Sequence, residues 1–188
     1  MTSFARLQDA TAADWKLIAE VETQIQATRN AGEGLLRLLR DQRNDDPDGW
    51  PINIYSHCLQ SATLAHRAGA DDELVFCALF HDATELIAPH DHGAVTAMLL
   101  APYISETRRW MIEHHAIFQN CFAANHPFRD ATEAEEYRGH PAFEATMKFC
   151  ELFDASAFAR NFDPMPLEAF EPLVDRICRA RLPRAGGA

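Results

Sequence analysis

The chain has 188 residues, of which 47% are hydrophobic, and a formal net charge of −11 at pH 7. A length of this order predicts one domain, possessing enough apolar side chains to bury a core. The negative charge argues against nucleic acid and against an anionic membrane surface as partners, and without an apolar signal core or a run of transmembrane length we expect a cytoplasmic protein.

The first part of the chain is predicted to form a helical arm. Apolar residues at three- and four-residue spacing predict an amphipathic helix from Asp14 to about Gln26 and a short second helix over 35–39. The polar run from Asp41 to Gly49 is typical of turns. We therefore predict an N-terminal arm and linker over residues 1–48 and a main domain over 49–188.

The main domain is predicted to be all-α, because no β-alternation persists and neither a G-x-G nor a P-loop pattern occurs in the chain. Gly69 is expected to end its first helix, acidic residues at 71–73 to open the second, and Ser105 to cap the fourth. The predicted helices cover 54–68, 70–82, 94–100, 106–118, 143–159 and 167–179, with a long irregular region over 120–141.

The five cysteines indicate free thiols rather than a metal site. Their number is odd, no C-x-x-C pair occurs, and Cys77 and Cys150 fall in apolar helical runs. We expect buried free thiols. A metal would then be held by His and Asp, a ligand set that suits iron, manganese, zinc or magnesium.

The most informative stretch is 80–85, Phe-His-Asp-Ala-Thr-Glu, at the end of the apolar run 74–79. His81 offers a metal one imidazole nitrogen. Asp82 offers two carboxylate oxygens, so that it could bridge two metals. Burial of an unpaired carboxylate costs free energy, which favours a metal or another cation beside Asp82. The same argument applies to Asp154, which also follows an apolar run.

Further histidines could complete such a site. His57 lies upstream on a predicted helix, and His90 and His92 are alternatives for one role, with His92 preferred because it is nearer the next helix. His114 and His115 point about 100° apart on a helix. One of them could bind metal while the other contacts substrate or a ligand side chain. Four His and two Asp on separate helices could close a two-metal site.

The order of these His and Asp residues along the chain resembles that of the HD-domain superfamily, and the resemblance extends over about residues 49–178. The segments that carry the resemblance are 49–51, 56–63, 69–71, 88–92, 114–119 and 166–172. The metal-binding positions of the superfamily, together with the two added histidines of its two-metal branch, are matched by six residues: His57, His81, Asp82, His92, His115 and Asp154. The chain resembles in particular a bacterial group often labelled predicted HD phosphohydrolases, which is related to the phosphonate oxygenases.

The six-ligand set is similar to that of the HD-domain mixed-valent diiron oxygenases, which include myo-inositol oxygenase and phosphonate-cleaving enzymes. This resemblance implies an HD-domain helical bundle with the metal site in its core. It implies an Fe(II)/Fe(III) pair that uses O2 to oxidise a C–H bond of a small hydroxy- or amino-substituted substrate. Asp82 would bridge the two irons, and His114 is a candidate contact to substrate or to a ligand.

The resemblance also implies how the other ligands are shared. His57, His81 and Asp154 would belong to one iron, and His92 and His115 to the second.

Two features of the phosphonate oxygenases do not occur in the sequence. No Tyr-x-x-Glu gate precedes His57, and no basic residue is evident near the motifs, although Arg108, Arg109 and Lys148 could supply positive charge. These differences argue against the known aminophosphonate as the substrate.

A metal-dependent phosphohydrolase acting on a nucleotide or another phosphate ester is the alternative. The stretch 81–85 is similar to the HD-x-x-E of bacterial 5′-deoxynucleotidases, in which the Glu assists hydrolysis. On a helix Glu85 would share a face with His81 and Asp82. It could act as a general base or hydrogen-bond a ligand, with Mn, Co, Zn or Mg as the metal. A non-catalytic, metal-stabilised binding protein is a third class, disfavoured because no ligand is missing.

Overall fold

The computed structural model describes residues 4–28 and 31–180, whose regular structure is helical. No strand occurs in these ranges, which confirms the predicted all-α class. No helix in the described part of the chain combines the length and the hydropathy that a membrane crossing needs. The α-helices of these ranges are α1 (Ala12–Thr28), α2 (Ala31–Arg40), α3 (Ile54–Arg67), α4 (Asp72–Phe80), α5 (His92–Leu100), α6 (Glu106–Gln119), α7 (Phe143–Phe149) and α8 (Leu167–Arg179).

The chain divides into two compact units, Met1–Ala31 and Gly32–Ala188. The sequence-based boundary after residue 48 lies further along the chain. The helix α2, which that boundary assigns to the arm, buries Leu35, Leu36 and Leu39 in the core of the second unit. These leucines form one apolar face of α2, and their burial places the helix with the main domain.

Local sequence signals position the two helices that lead into the polar centre of the second unit. Asn53 begins α3, where its side chain accepts a hydrogen bond from the N–H of Ser56 at 3.0 Å. Gly69 follows α3 with φ +73°, a left-handed conformation that glycine adopts without strain. Asp71 begins α4 by accepting from the N–H of Leu74 at 2.7 Å. The predicted helix ends at Gly69 and at Asp71 are confirmed, whereas the cap at Asn53 was not predicted.

Ser105 precedes α6 at the N-cap position but makes no side-chain capping bond. Its backbone N–H instead donates to the carboxylate of Glu73. The prediction that the Ser105 side chain caps α6 is therefore wrong, because a carboxylate from α4 supplies the acceptor near this helix end.

The predicted helix over 143–159 is interrupted. The helix α7 ends at Phe149, and Cys150–Asp154 form a π-helical turn in which the N–H of Ala155 donates to the carbonyl of Cys150 at 2.8 Å. The hydrogen bond of a π-helical turn spans one residue more than that of an α-helix, so the side chains after it point in a different direction. Asp154 is fully buried at the end of this turn, whereas Leu152 is 42% exposed.

The core of the second unit is built from helices packed in pairs, with α3 against α4 and α5 against α6. The π-helical turn packs against both α3 and α6, while α8 packs against α4. Phenylalanine rings contribute the largest side chains of this core: Phe76, Phe80, Phe118, Phe149 and Phe170. This packing brings the end of α4 and the π-helical turn next to α3 and α6.

The cysteines are free thiols, as predicted from their number and spacing. Cys77 and Cys150 are buried, and so are Cys58 and Cys178. Burial raises the pKa of the Cys58 thiol to about 12. A thiol with this pKa stays protonated near neutral pH and is a poor metal ligand.

Candidate metal centre

A cluster of buried imidazoles and carboxylates lies where these helices meet. His57 comes from α3, His81 and Asp82 directly follow α4, and Asp154 ends the π-helical turn. His115, on α6, is also buried. The residues come from distant parts of the sequence, so that only the packing of the helices brings their donor atoms together.

Three of these side chains form what we call the first group: His57, His81 and Asp154. The Nε2 atoms of His57 and His81 are 3.0 Å apart, and they lie 3.2 and 3.6 Å from Asp154 Oδ1. Asp82 Oδ2 lies 3.4 Å from His57 Nε2 and 3.3 Å from His81 Nε2. Ligands about 2.1 Å from one ion are separated by roughly 3 to 3.5 Å. The donor atoms are therefore spaced as in one coordination sphere.

Two histidines form the second group: His92 and His115. Asp82 Oδ1 lies 2.8 Å from His115 Nε2 and 3.3 Å from His92 Nε2. The two Nε2 atoms are 3.3 Å apart. His92 begins α5 and its side chain is 13% exposed, whereas His115 is buried. The two oxygens of Asp82 thus face two different sets of imidazoles.

Backbone carbonyl groups orient all four imidazoles. In each case Nδ1 lies within hydrogen-bond distance of a carbonyl oxygen: Ala157 for His57 (3.1 Å), Ala78 for His81 (2.9 Å), Pro89 for His92 (3.4 Å) and Ile112 for His115 (2.6 Å). Because a carbonyl only accepts, Nδ1 carries a proton in each ring. The Nε2 atom is then free to bind a metal. Metal-bound histidines in proteins are commonly held in this way, with the other ring N–H donated to a carbonyl or carboxylate.

The donor atoms of the cluster need a cation. Two Nε2 lone pairs that face each other at 3.0 Å repel unless a proton or a metal ion lies between them. Asp154 Oδ2 is buried without a hydrogen-bond partner. A metal ion bound by these donors would remove the repulsion between the lone pairs and compensate the charge of the buried Asp154 carboxylate. Imidazole and carboxylate donors without thiolate suit iron, manganese, zinc or magnesium, so the residues present fit a bound metal.

The pKa values of the cluster also indicate that it needs a cation. Burial lowers the pKa of His57, but hydrogen bonds with Asp154 and Asp82 outweigh it and raise this pKa to about 9. Burial raises the pKa of Asp82, but the positive charge of His81 and hydrogen bonds from the histidines hold it well below its usual range. In the metal-free protein, protons therefore occupy positions that a metal ion would take.

The cluster lies at the floor of a cavity of about 370 Å³. His57 and Asp82 line this cavity, as do His92 and His115 of the second group. Among the described residues, His81 and Asp154 do not line this cavity. A small molecule in the cavity would therefore meet the second group and one face of the first.

The wall of the cavity combines aromatic and charged side chains. The rings of Trp50 and Phe158 stack with their centroids 5.2 Å apart, and the Phe158 ring stacks on the His57 imidazole with a centroid distance of 4.5 Å. Glu85 and Arg129 contribute charges of opposite sign. The cavity thus offers an apolar surface beside the first group and polar contacts at other points of the wall.

Glu85 lines this cavity, but it does not project from a helix face. The helix α4 ends at Phe80, and Glu85 follows in a series of turns, with its N–H bonded to the carbonyl of Asp82. Burial, and after it the negative charge of Asp82, raise the pKa of Glu85. The expected helical alignment is therefore wrong, although Glu85 and Asp82 do line the same cavity.

In each of the two pairs of alternative histidines, 90/92 and 114/115, one member reaches the cluster and the other does not. His90 lines the cavity but is exposed, whereas His92 reaches the cluster. His115 points inward, and His114 instead stacks on the ring of Trp110 at 4.1 Å with Nδ1 bonded to the Trp110 carbonyl at 3.0 Å. His114 is outside the cavity lining in the described chain, so its expected contact with substrate or ligand is not found. Adjacent helical residues point in different directions, and His115 takes the inward one.

The cations considered from the sequence lie elsewhere. Arg108 pairs with Asp71, and Arg109 pairs with Glu106. Lys148 lines a separate groove between α4 and α7. Arg129 is the arginine that lies in the described lining of the metal cavity.

Sequence reasoning missed two residues near the cluster. Gln119 donates from Nε2 to Asp154 Oδ1 at 2.7 Å, and Arg129 Nη1 donates to Gln119 Oε1 at 3.1 Å. Gln119 could have been found, because it lies four residues after His115 on α6 and therefore on a similar face. Arg129 carries no comparable signal, since it lies in the irregular region between α6 and α7.

Neither a scan of the chain against models of known protein families nor a search of the curated proteins found a match. The case for a function therefore rests on the geometry and donor chemistry of the cluster itself.

Proposed function

We propose that the chain is an HD-domain oxygenase that holds a pair of iron ions. It would use O2 to oxidise a C–H bond of a small substrate bearing a hydroxyl or amino group. The observation that carries the proposal is the orientation of Asp82, whose Oδ2 faces His57 and His81 while its Oδ1 faces His92 and His115. A carboxylate placed in this way can bridge two metal ions.

The two positions on either side of Asp82 are unequal. The first group and Asp82 Oδ2 offer four donor atoms in a buried setting. The second group and Asp82 Oδ1 offer two imidazoles and one carboxylate, and they line the cavity. Two His and one carboxylate with open positions are typical of non-haem iron oxygenases. This asymmetry favours one structural position and one position that is accessible to substrate.

The residues of the chain have defined tasks in this scheme. The iron pair, when bound, would supply the redox chemistry that activates O2. Backbone carbonyls hold each imidazole with Nε2 towards the metal, and Asp82 keeps the two positions adjacent. Trp50 and Phe158 limit water beside His57. The cavity volume of about 370 Å³ suits a small molecule whose C–H bond is oriented at the second group.

Support for the HD-domain family comes from the order and placement of the donors. The first His lies within α3, the His-Asp pair follows α4, the added histidines lie on α5 and α6, and the last Asp follows α7. The cluster thus draws its donors, in chain order, from the successive helices α3 to α7 and the residues that directly follow them.

The test is the metal content and reactivity of protein expressed in iron-supplemented medium. We expect about two irons per chain and, after partial reduction, a mixed-valent signal in electron paramagnetic resonance. Small hydroxy- and amino-substituted acids would then be screened for O2 consumption. A single bound Mn, Co or Zn with no diiron signal, together with turnover of phosphate esters, would contradict the proposal.

A metal-dependent phosphohydrolase is the second candidate, favoured by the position of Glu85. This carboxylate lines the cavity with Asp82, and its pKa is raised by burial and by the Asp82 charge, as suits a general base. The variant Glu85→Gln separates the two functions. A hydrolase would lose about 10²- to 10⁴-fold in phosphate-ester turnover while retaining its metal. For the oxygenase we expect O2 consumption to change by less than about tenfold, because no protein base is needed to remove a hydrogen atom.

A further inference from the structure

Arg129 connects the wall of the cavity to the end of α6. It is partly buried, and its Nη1 donates to Gln119 Oε1 at 3.1 Å and to Asn120 Oδ1 at 3.3 Å. Both acceptors lie at the end of α6, whereas Arg129 lies in the irregular region that follows. The guanidinium therefore ties this region to the helix that carries His115.

The bond from Arg129 determines how the Gln119 amide is oriented. A guanidinium only donates, so the atom it contacts on Gln119 must be the carbonyl oxygen. The amide nitrogen of Gln119 then faces Asp154 and donates to its Oδ1 at 2.7 Å. This hydrogen bond holds one oxygen of Asp154 in the position from which it also contacts the imidazoles of the first group.

A second connection runs through aromatic rings. The Arg129 guanidinium lies over the ring of Trp50, 5.7 Å from its centroid. Trp50 stacks on Phe158 at 5.2 Å, and Phe158 stacks on His57 at 4.5 Å. Contact with Arg129 therefore restrains the rings that pack against a second member of the first group.

Both connections end at the first group, at Asp154 and at His57, and neither contacts His92 of the second group. We propose that Gln119 and Arg129 are positioning residues for the metal position at the first group alone. The inference rests on the proposed two-metal site. Hydrogen-bonding partners of metal ligands typically change metal affinity by about 10- to 100-fold when removed, and we expect an effect of this size at one position only.

The experiment is a titration of the metal-free full chain with Co²⁺, followed by absorbance and by competition with a chelator. A His92→Ala background reports the first group, and a His57→Ala background reports the second. In the first background we expect Gln119→Leu to weaken Co²⁺ binding by about 10- to 100-fold. Arg129→Lys should weaken it less, since a lysine keeps the charge but loses the planar fork. In the second background both variants should bind Co²⁺ as the background does.

Matched controls separate this role from general disruption. Asn120→Ala removes the other acceptor of Arg129 without removing a contact to a metal ligand. Arg138→Ala removes an exposed guanidinium that pairs with Glu135 and lies over the ring of Phe143. Both should bind Co²⁺ within about threefold of the background, a tolerance well below the expected 10- to 100-fold effect. Thermal unfolding of each variant identifies loss of fold, and Arg129→Lys, at a partly exposed position, provides the test if Gln119→Leu does not fold.

The outcomes distinguish the inference from the proposed function. If the unsubstituted chain binds fewer than two Co²⁺ ions, the proposed two-metal site and the inference both fail. If it binds two, but Gln119→Leu and Arg129→Lys leave the first position unchanged or weaken both positions equally, only the positioning role fails. Selective weakening of the first position supports it.

Discussion

His90 and His92 differ by two positions in the sequence, yet their geometry is distinct. Both line the cavity, but His92 Nε2 lies 3.3 Å from Asp82 Oδ1 while His90 is an exposed wall residue. We expect His92→Ala to lose one of two bound metal ions and His90→Ala to keep both. Elemental analysis of metal per chain checks this expectation. Equal loss in the two variants would remove His92 from the ligand set.

Proton binding at His57 predicts how the metal-free protein responds to pH. Its pKa is about 9 in the fold and 6.5 without the interactions of the fold. Protonated His57 therefore stabilises the metal-free fold fully below about pH 6.5, and this stabilisation is lost as the pH rises through about 9. A difference of this size corresponds to roughly 3 kcal/mol, since one pKa unit is about 1.4 kcal/mol.

Urea unfolding of chelator-treated protein at pH 7 and pH 9.5 measures this effect. The free energy of unfolding should fall by about 2 to 3 kcal/mol between these values. The metal-loaded protein should lose less, because the ion takes the place of the proton. Constant or increasing stability of the metal-free protein over this range would contradict the assignment of His57 as the protonated group.

At the scale of the elements, Gly93 allows α5 to approach α6. A Cβ atom at Gly93 would lie 2.8 Å from the carbonyl oxygen of Glu113 and 3.0 Å from that of Ile112. Both contacts are with backbone, so the helices would have to separate. Since His92 and His115 sit on these two helices, their separation would open the second group.

We therefore expect Gly93→Ala to destabilise the fold by about 1 to 3 kcal/mol and to weaken metal binding at the second group. Gly34→Ala in α2 is the matched control, because a Cβ there meets nothing within 4 Å. It should stabilise the protein by about 0.5 to 1 kcal/mol through the usual helical preference for alanine. Chemical unfolding and Co²⁺ titration measure both variants. A stabilising Gly93→Ala would show that α5 can shift at no cost.

At the scale of the whole molecule, the structure locates the domain boundary by burial. The apolar core described in the second unit begins at Leu35, and the cluster begins at His57. We expect residues 32–188 to fold alone and to bind two Co²⁺ ions. A shorter chain, 49–188, would lose the buried side chains of Leu35, Leu36 and Leu39. Each such loss costs about 2 to 5 kcal/mol.

Thermal unfolding of the two truncated chains tests this boundary. The melting temperature of 32–188 should lie within a few degrees of the full chain, and that of 49–188 should be strongly lowered or its cooperative transition absent. Equal stability of the two would place the boundary at residue 48, as the sequence pattern predicts.

Much of the fold was predictable because its signals are local. Apolar spacing and the residues at helix ends predicted α3, α4, α6 and α8 to within about two residues, and Asn53, Gly69 and Asp71 act at these ends through neighbours three or four residues away. The π-helical turn was not predictable from this pattern. Its apolar residues are also spaced as in an α-helix, and only its packing against α3 and α6 distinguishes it.

Much of the cluster was predictable as well, because His and Asp at the ends of apolar runs are costly to bury without a cation. The sequence by itself therefore determined an all-α chain with a set of six candidate metal ligands. Only the tertiary structure decided that Asp82 turns its oxygens to two different groups, that His114 points away, and that Arg129 holds Gln119 against Asp154. The bonds from Arg129 to Gln119 and from Gln119 to Asp154 join residues 10 and 35 positions apart, so they depend on how the chain packs rather than on any local pattern.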